Sequence, residues 1–154
     1  MFRSFLEADD GKEFVMINLV KFESGTLTDP ATGEAMTGRS AMRRYSDPFV
    51  RALVVRGGHP GMVGRKVGPY VDAWNVAADP GWSIFGLMRY RSRRDLLKLA
   101  SDPRFADIHA YKLLGIPVTF SFPTQRELSV FMGPRMWVAL VLALGAALVQ
   151  LVRV

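Results

Sequence analysis

The sequence contains no cysteine and only two histidines among its 154 residues. Without thiols there can be no disulfide, thiolate metal site, iron–sulfur cluster or cysteine nucleophile. His59 and His109 are too far apart for a local metal motif such as HxxxH, and no GxSxG segment marks a serine nucleophile. We therefore expect no metal and no cofactor, and no motif identifies a catalytic chemistry.

A signal peptide is also missing from the N-terminal residues, because Asp9, Asp10, Lys12 and Glu13 interrupt any apolar stretch there. We therefore expect the folded part to remain on the cytoplasmic side. Acidic residues are in the minority, with 14 Asp and Glu against 20 Lys and Arg, and the formal net charge is +6. This excess favours anionic partners such as phospholipid headgroups or nucleic acid.

The most apolar segment lies near the C-terminus. Between Arg135 and Arg153, the segment 136–152 has Gln150 as its only polar side chain. A bilayer-spanning helix needs about 20 apolar residues, with a lower limit near 17, whereas a soluble core helix carries a polar face. The segment therefore predicts one transmembrane helix and a single-pass, tail-anchored protein, for which lipid is a better partner than nucleic acid.

Residues that flank and line this helix indicate how it is used. Trp137 at its entry, with basic residues on the domain side, predicts a cytoplasmic domain and an outer C-terminus. The basic residues expected to face lipid headgroups are Arg126, Arg135 and Arg153. Small residues form a strip on which another membrane helix can pack, namely Ala139, Ala143, Gly145, Ala146 and Ala147. A helix that serves only as an anchor explains the sequence equally well.

Apolar spacing in the remaining chain predicts an α+β domain. Alternating residues predict strands at 14–22, 59–71, 82–91 and 116–122, and a polar, turn-rich excursion at 25–38. Helical spacing predicts helices beginning at Ser40, Ser92 and Asp102, the first with a kink or break near Pro48. The order β-α-β-β-α-β is the split βαβ arrangement, an antiparallel sheet with helices on one face. We divide the chain into a domain at 1–123, a linker at 124–135 and a membrane helix at 136–154.

Several segments carry a family resemblance. FVMINLVKF, RALVVRGGH, WSIFGLMRYRSRRDLLKLASDPRF and HAYKLLGI resemble the small dimeric α+β-barrel proteins of the ferredoxin-like superfamily, in an uncharacterised group near the EthD-like and antibiotic-biosynthesis-monooxygenase-like proteins. Its most specific piece joins Arg89–Arg93 to Asp102–Phe105, and Arg91 stands where the motif usually has proline. The resemblance implies a ferredoxin-like domain that pairs its open sheet into a homodimer, and it leaves chemistry open. The terminal helix is not part of the family pattern.

Polar groups with aromatic walls are typical of a small-ligand pocket. Five residues could line a cleft between sheet and helices, namely Asn18, Tyr45, His59, Tyr70 and Trp82. The candidates for catalysis among them are His59, Asn18 and Tyr45. Ordinary core packing is the competing explanation for Trp82.

Three functions are compatible with these observations. The preferred one is a non-catalytic accessory subunit that docks on a larger membrane complex through its terminal helix. The second is a membrane-tethered, cofactor-independent oxygenase or isomerase acting on a hydrophobic small molecule. The third is a self-associating module that binds the membrane surface without a large partner.

Overall fold

The computed structural model describes residues 2–128 and 134–152. It contains five α-helices and six strands within these ranges, together with a 3₁₀ turn at Pro103–Phe105. The helices are α1 Phe2–Glu7, α2 Gly38–Val55, α3 Arg93–Ala100, α4 Ala106–Gly115 and α5 Pro134–Val152. The strands are β1 Phe14–Lys21, β2 Thr26–Thr28, β3 Ala35–Thr37, β4 His59–Arg65, β5 Ile84–Tyr90 and β6 Val118–Thr124.

Four of the strands form one antiparallel sheet in the order β4-β5-β1-β6. They correspond to the four strands expected from the alternating pattern, although β4 ends at Arg65 instead of continuing to Val71. β2 and β3 pair with each other in a small hairpin inside the polar excursion, where no strand was expected.

Strand register separates a covered face of the sheet from an open one. Phe14 lies opposite Tyr90, both are buried, and they stack with ring centroids 5.2 Å apart. Because side chains alternate along a strand, Val15 and its partners Arg89 and Thr124 point to the other face. The helices cover the Phe14 face alone, as the sequence pattern predicts.

The core lies between the covered face and the helices. Its buried residues come from the sheet, from α2 and α3, and from the 3₁₀ turn, namely Phe14, Leu53, Tyr90, Leu99 and Phe105. Each such side chain contributes about 1.5–3 kcal/mol when it is fully buried. This cluster joins the C-terminal end of α2 to the N-terminal end of β1.

α2 departs from expectation at both its start and its middle. Its N-cap is Thr37, whose hydroxyl accepts from the Ser40 backbone N–H, and the Ser40 hydroxyl accepts in return from the Thr37 N–H, which completes a capping box. Of the predicted kink or break near Asp47, the break does not occur, since the helix continues from Gly38 to Val55 with Pro48 inside it. Buried Tyr45 and Leu53, one on each side of Pro48, hold both halves against the core.

The cap at Ser92 is confirmed, because its hydroxyl accepts from the Asp95 backbone N–H at the start of α3. α1 was not expected from the sequence. It packs through Phe5, whose ring meets that of Phe14 edge-on at 5.6 Å. The Arg93 guanidinium lies 5.2 Å from the Phe5 ring centroid and also donates to the Phe5 carbonyl. α1 therefore depends on contacts that are distant in sequence.

Candidate functional site

Asn18 lies on the covered face of β1 and uses its amide to tie three strands together. Its Nδ2 donates to the carbonyls of Met16, at 3.1 Å, and of Gly86 on β5, at 3.3 Å. Its Oδ1 accepts from the Ser121 hydroxyl on β6 at 2.9 Å. Because both ends of the amide are occupied, Asn18 holds the centre of the sheet in register.

Tyr45 is the centre of a group of titratable side chains between α2 and α4. Its buried ring stacks on Phe49 at 5.4 Å and meets the His109 ring edge-on at 5.8 Å. The Lys112 ammonium lies 5.3 Å from the centroid of the same ring. Burial raises the pKa of the Tyr45 hydroxyl. We call Tyr45, His109 and Lys112 the α2–α4 cluster.

Sequence reasoning did not single out Lys112. It follows His109 by three residues, so both project from the same side of α4. Burial lowers the pKa of the Lys112 amine, and no ion pair joins it to a carboxylate in the described chain. The Tyr45 ring stabilises the ammonium by a cation–π contact in place of a counter-ion.

His59 lies on the opposite face of the sheet from Asn18. It is exposed on β4 opposite Arg89, and it lines an open-face cavity of about 500 Å³ with Ile17 and Leu87. The expectation that His59 points into the cleft beneath the helices is therefore wrong. Strand alternation puts it on the open face because Arg89 is adjacent to the buried Tyr90.

Tyr70 and Trp82 come together in the connection from β4 to β5. Trp82 Nε1 donates to the Tyr70 hydroxyl at 2.7 Å, and Lys66 lies 5.4 Å from the Tyr70 ring centroid. Lys66 also pairs with Asp79, and this hydrogen bond holds the pKa of the Asp79 carboxyl below its usual range. These contacts stabilise the connection itself, and none of the side-chain contacts described here joins it to Asn18 or Tyr45.

The open face of the sheet is apolar along its length. Strand pairing places Ile17 beside Leu87 and Phe122, and Leu19 beside Phe85 and Phe120. Phe120 is 55% exposed, and its ring lies 5.6 Å from that of Phe122. At Gly64, which lies opposite Phe85, a Cβ atom would come 2.1 Å from Phe85 Cε1. Glycine at this position therefore leaves space for the Phe85 ring.

One end of the open face carries an ionic chain that reaches the segment after β6. Arg89 donates to the Gly57 carbonyl and pairs with Glu13, which in turn pairs with Arg126 at 2.9 Å. The hydrogen bond from Arg89 holds the pKa of the Glu13 carboxyl below its usual value. Arg126 therefore has a partner within the domain. Arg135 lies at the start of α5, and Arg153 lies outside the described residues.

α5 packs against no core. Its 19 residues span about 28 Å, close to the ~30 Å hydrocarbon thickness of a bilayer. The segment Arg135–Val152 is long and apolar enough to cross a membrane, and none of it is buried against the described chain. Ala139, Ala143 and Ala147 share one side of the helix, and Ala146 lies beside them. At 3.6 residues per turn, Gly145 falls on the nearly opposite side and is not part of that strip.

No three His, Asp or Glu side chains of residues 2–128 and 134–152 are grouped so that they could hold a metal ion.

Solved structures that are similar to this chain include two of one protein. Both are crystal structures of the RPA0582 protein of Rhodopseudomonas palustris, one of them methylated, and RPA0582 is itself described as a protein of unknown function. The TM-score is 0.66 for each, with 17% and 16% identity; the matches cover 85% and 83% of this chain and 92% of RPA0582. No protein-family model and no curated protein matches the sequence. The likeness establishes a compact α+β fold with helices on one face of an antiparallel sheet.

Proposed function

We propose that this protein is a membrane-tethered accessory subunit, whose terminal helix crosses the bilayer and docks on a larger membrane protein complex. The observation that carries this proposal is the complete exposure of α5, a helix apolar around its circumference. A helix of this composition in water would expose a large apolar surface with nothing to cover it. Hydrocarbon and a second membrane helix are the surroundings that match it.

The domain is proposed to lie on the cytoplasmic side. Arg126 precedes the helix and Arg135 lies in its first turn, both on the domain side, and the excess of basic residues in the chain supports this orientation. We also propose that the domain is ferredoxin-like. Counting only the four sheet strands, the order is 2-3-1-4 with every neighbour antiparallel, which supports the split βαβ connectivity.

Docking through α5 is supported by the alanine strip at Ala139, Ala143 and Ala147. Small side chains let two helix backbones approach closely, and close packing is the main source of helix association in lipid. The geometry favours docking over an enzyme, because the candidate catalytic residues His59 and Asn18 lie on opposite faces of the sheet. Asn18 is moreover occupied by three hydrogen bonds.

The open sheet face supports a second, compatible role in self-association. Its apolar residues, with Phe120 and Phe122 at the β6 edge, would be covered if two sheets paired face to face. Such pairing gives the homodimer that the family resemblance implies. It leaves α5 free, so a dimer and a docked helix can coexist.

The experiment uses the full chain in its native membrane with two matched variants of α5. Val141 lies nearly opposite Ala143 on the helix, so Ala143→Phe and Val141→Phe place the same bulk at a similar depth on the two sides. We expect the wild type and both variants to stay in the membrane after an alkaline carbonate wash. Mild detergent extraction and sizing should give a large assembly for wild type and Val141→Phe, and a smaller particle for Ala143→Phe.

Two results would contradict the proposal. Release of the wild-type chain by carbonate would show that α5 does not span the membrane. Recovery of the wild type only as a free monomer or dimer would contradict docking on a larger complex, but it would not contradict the membrane span.

A further inference from the structure

The C-terminal end of α2 carries a surface cavity of about 390 Å³ with an unusual lining. Its polar wall is made by Arg51, Arg56 and Arg104, and its apolar wall by Ala52, Val55 and Phe105. We call this cavity the arginine pocket. It is formed by residues of α2 with its C-cap Arg56 and by the 3₁₀ turn, and it contains no residue of α5.

The charge in the arginine pocket is not balanced. Asp102 is the carboxylate that pairs with its arginines, and it binds Arg104 at 2.7 Å and Arg56 at 3.1 Å. Arg51 is exposed and forms no ion pair or hydrogen bond recorded in the described chain. Asp95 also acts electrostatically on Arg56, but it is itself paired with Arg91. The three guanidinium groups therefore retain an excess of positive charge.

Arg56 adds a second sign of an absent acceptor. Its Nε is buried and has no hydrogen-bond partner, the one such side-chain atom in the described residues. A buried donor without a partner is rare and costs free energy, so it calls for an explanation such as a missing ion. A phosphate between Arg51 and Arg56 would accept hydrogen bonds from their guanidinium groups and reduce the excess positive charge.

The apolar wall indicates what is attached to that phosphate. Val55 is 88% exposed at the last residue of α2, although its side chain lines the pocket. Inorganic phosphate would leave Val55, Ala52 and Phe105 in contact with water. An amphiphile with a phosphate and an acyl chain would use both walls.

The location of the arginine pocket also matches a lipid. Leu53 packs with Phe14, so the C-terminal end of α2 lies at the end of the sheet where β1 begins. β6 ends there too, because Thr124 pairs with Val15. Nine residues, 125–133, lead from that end to α5, and their fully extended reach is about 30 Å. The pocket therefore lies at the end of the domain from which the chain leaves for the proposed span.

We propose that the arginine pocket binds the phosphate headgroup of an anionic phospholipid, with Arg51 and Arg56 on the phosphate and Val55 against the start of an acyl chain. The identification of the ligand as a membrane lipid rests on the proposed tether. The pocket itself, and its ability to bind a phosphate group, do not depend on that proposal. Bound lipid would fix the orientation of the domain on the bilayer. The site differs from the basic residues that precede α5.

The test titrates the full chain in a mild non-ionic detergent, where no charged surface is present. The probes are dihexanoyl phosphatidic acid, dihexanoyl phosphatidylcholine and inorganic phosphate, and binding is followed by calorimetry. We expect saturable binding of the phosphatidic acid and weaker binding of the other two. Arg51→Gln should weaken phosphatidic acid binding about tenfold, the loss expected for one hydrogen bond between charged partners. Val55→Asn should weaken the lipid but leave phosphate unchanged.

Arg94→Gln is the matched control, because Arg94 is exposed on α3, outside the pocket, and its loss changes the net charge equally. Equal weakening by Arg51→Gln and Arg94→Gln would show diffuse attraction and overturn the site. Equal affinity for phosphate and phosphatidic acid would overturn the lipid assignment. Both outcomes can occur with a chain that resists carbonate extraction, so they are distinguishable from failure of the tether.

Discussion

Asp29 is the one buried acidic residue of the described chain, and it connects three parts of the domain. Its carboxylate accepts from the Ala31 backbone N–H at 2.9 Å and from the Tyr111 hydroxyl at 2.8 Å, and it pairs with Arg44 at 3.1 Å. The hydrogen bond from the Ala31 backbone N–H, together with that from the Tyr111 side-chain hydroxyl, holds the pKa of the Asp29 carboxyl below its usual value. The carboxylate therefore ties the β2–β3 hairpin to α2 and α4.

We expect Asp29→Asn to lower the melting temperature at pH 7. Since the folded pKa of Asp29 is depressed, its contribution to stability is complete above the unfolded value near 3.9 and is lost as the pH falls through the folded value. The difference between variant and wild type should therefore shrink below about pH 4. Thermal unfolding followed by circular dichroism from pH 2 to pH 7 measures it. Asp72→Asn, which removes an exposed carboxylate, is the control, and a pH-independent difference would contradict the assignment.

Lys112 gives a second prediction at the residue scale. Because burial lowers its pKa, we expect its amine to titrate below the ordinary lysine value of about 10.4. The unfolded chain then binds more protons between the two values, so stability rises with pH across that window. Reductive ¹³C-methylation and NMR titration measure the pKa, and Lys112→Arg assigns the resonance. A value at or above 10.4 would show that burial does not destabilise the ammonium, and the prediction would be wrong.

Among the secondary-structure elements, α2 shows where sequence reasoning is limited. Proline at position 48 removes the hydrogen bond to the Arg44 carbonyl, which is why its sequence predicts a break. The helix continues because Tyr45 and Leu53 are held by tertiary contacts that no local pattern displays. The missing hydrogen bond therefore still lowers the free energy of unfolding of the domain.

We therefore expect Pro48→Ala to stabilise the domain by about 2 kcal/mol, the penalty for an interior proline less the entropy that proline removes from the unfolded chain. Urea unfolding measures the change, and Asp47→Ala, at the preceding exposed position, is the control. A loss of stability would show that the Pro48 ring contributes more through its packing than it costs the helix.

The same limit explains the other differences between expectation and structure. β1, β5 and the Ser92 cap were predicted because their signals, alternation and a short capping motif, are local. α1 could not be predicted, since Phe14 and Arg93 hold it from distant positions. His59 could not be placed either, because the face of β4 depends on its pairing with Arg89 and on the register shift between Pro60 and Met62. The Lys112 amine becomes buried beside Tyr45, with a lowered pKa, only when α4 packs on α2.

At the scale of the whole molecule, the apolar surfaces that the described residues leave uncovered include α5 and the open face of the sheet. They belong to different environments, since α5 matches hydrocarbon whereas the sheet face is flanked by Arg89 and His59 in water. A bilayer can cover the first surface but not the whole domain. If two copies pair face to face, as proposed, each sheet covers the apolar residues of the other.

We expect Phe120→Asp to convert a dimer into a monomer, because a carboxylate on the apolar sheet face cannot be buried without a partner. Phe120 is 55% exposed, so the substitution should leave the isolated domain folded. Sedimentation velocity of the full chain in detergent measures the mass, and Leu113→Asp, 70% exposed on α4, is the control. A dimer that survives Phe120→Asp but is lost in Ala143→Phe would mean that two copies associate through α5, which would make the alanine strip a self-association surface.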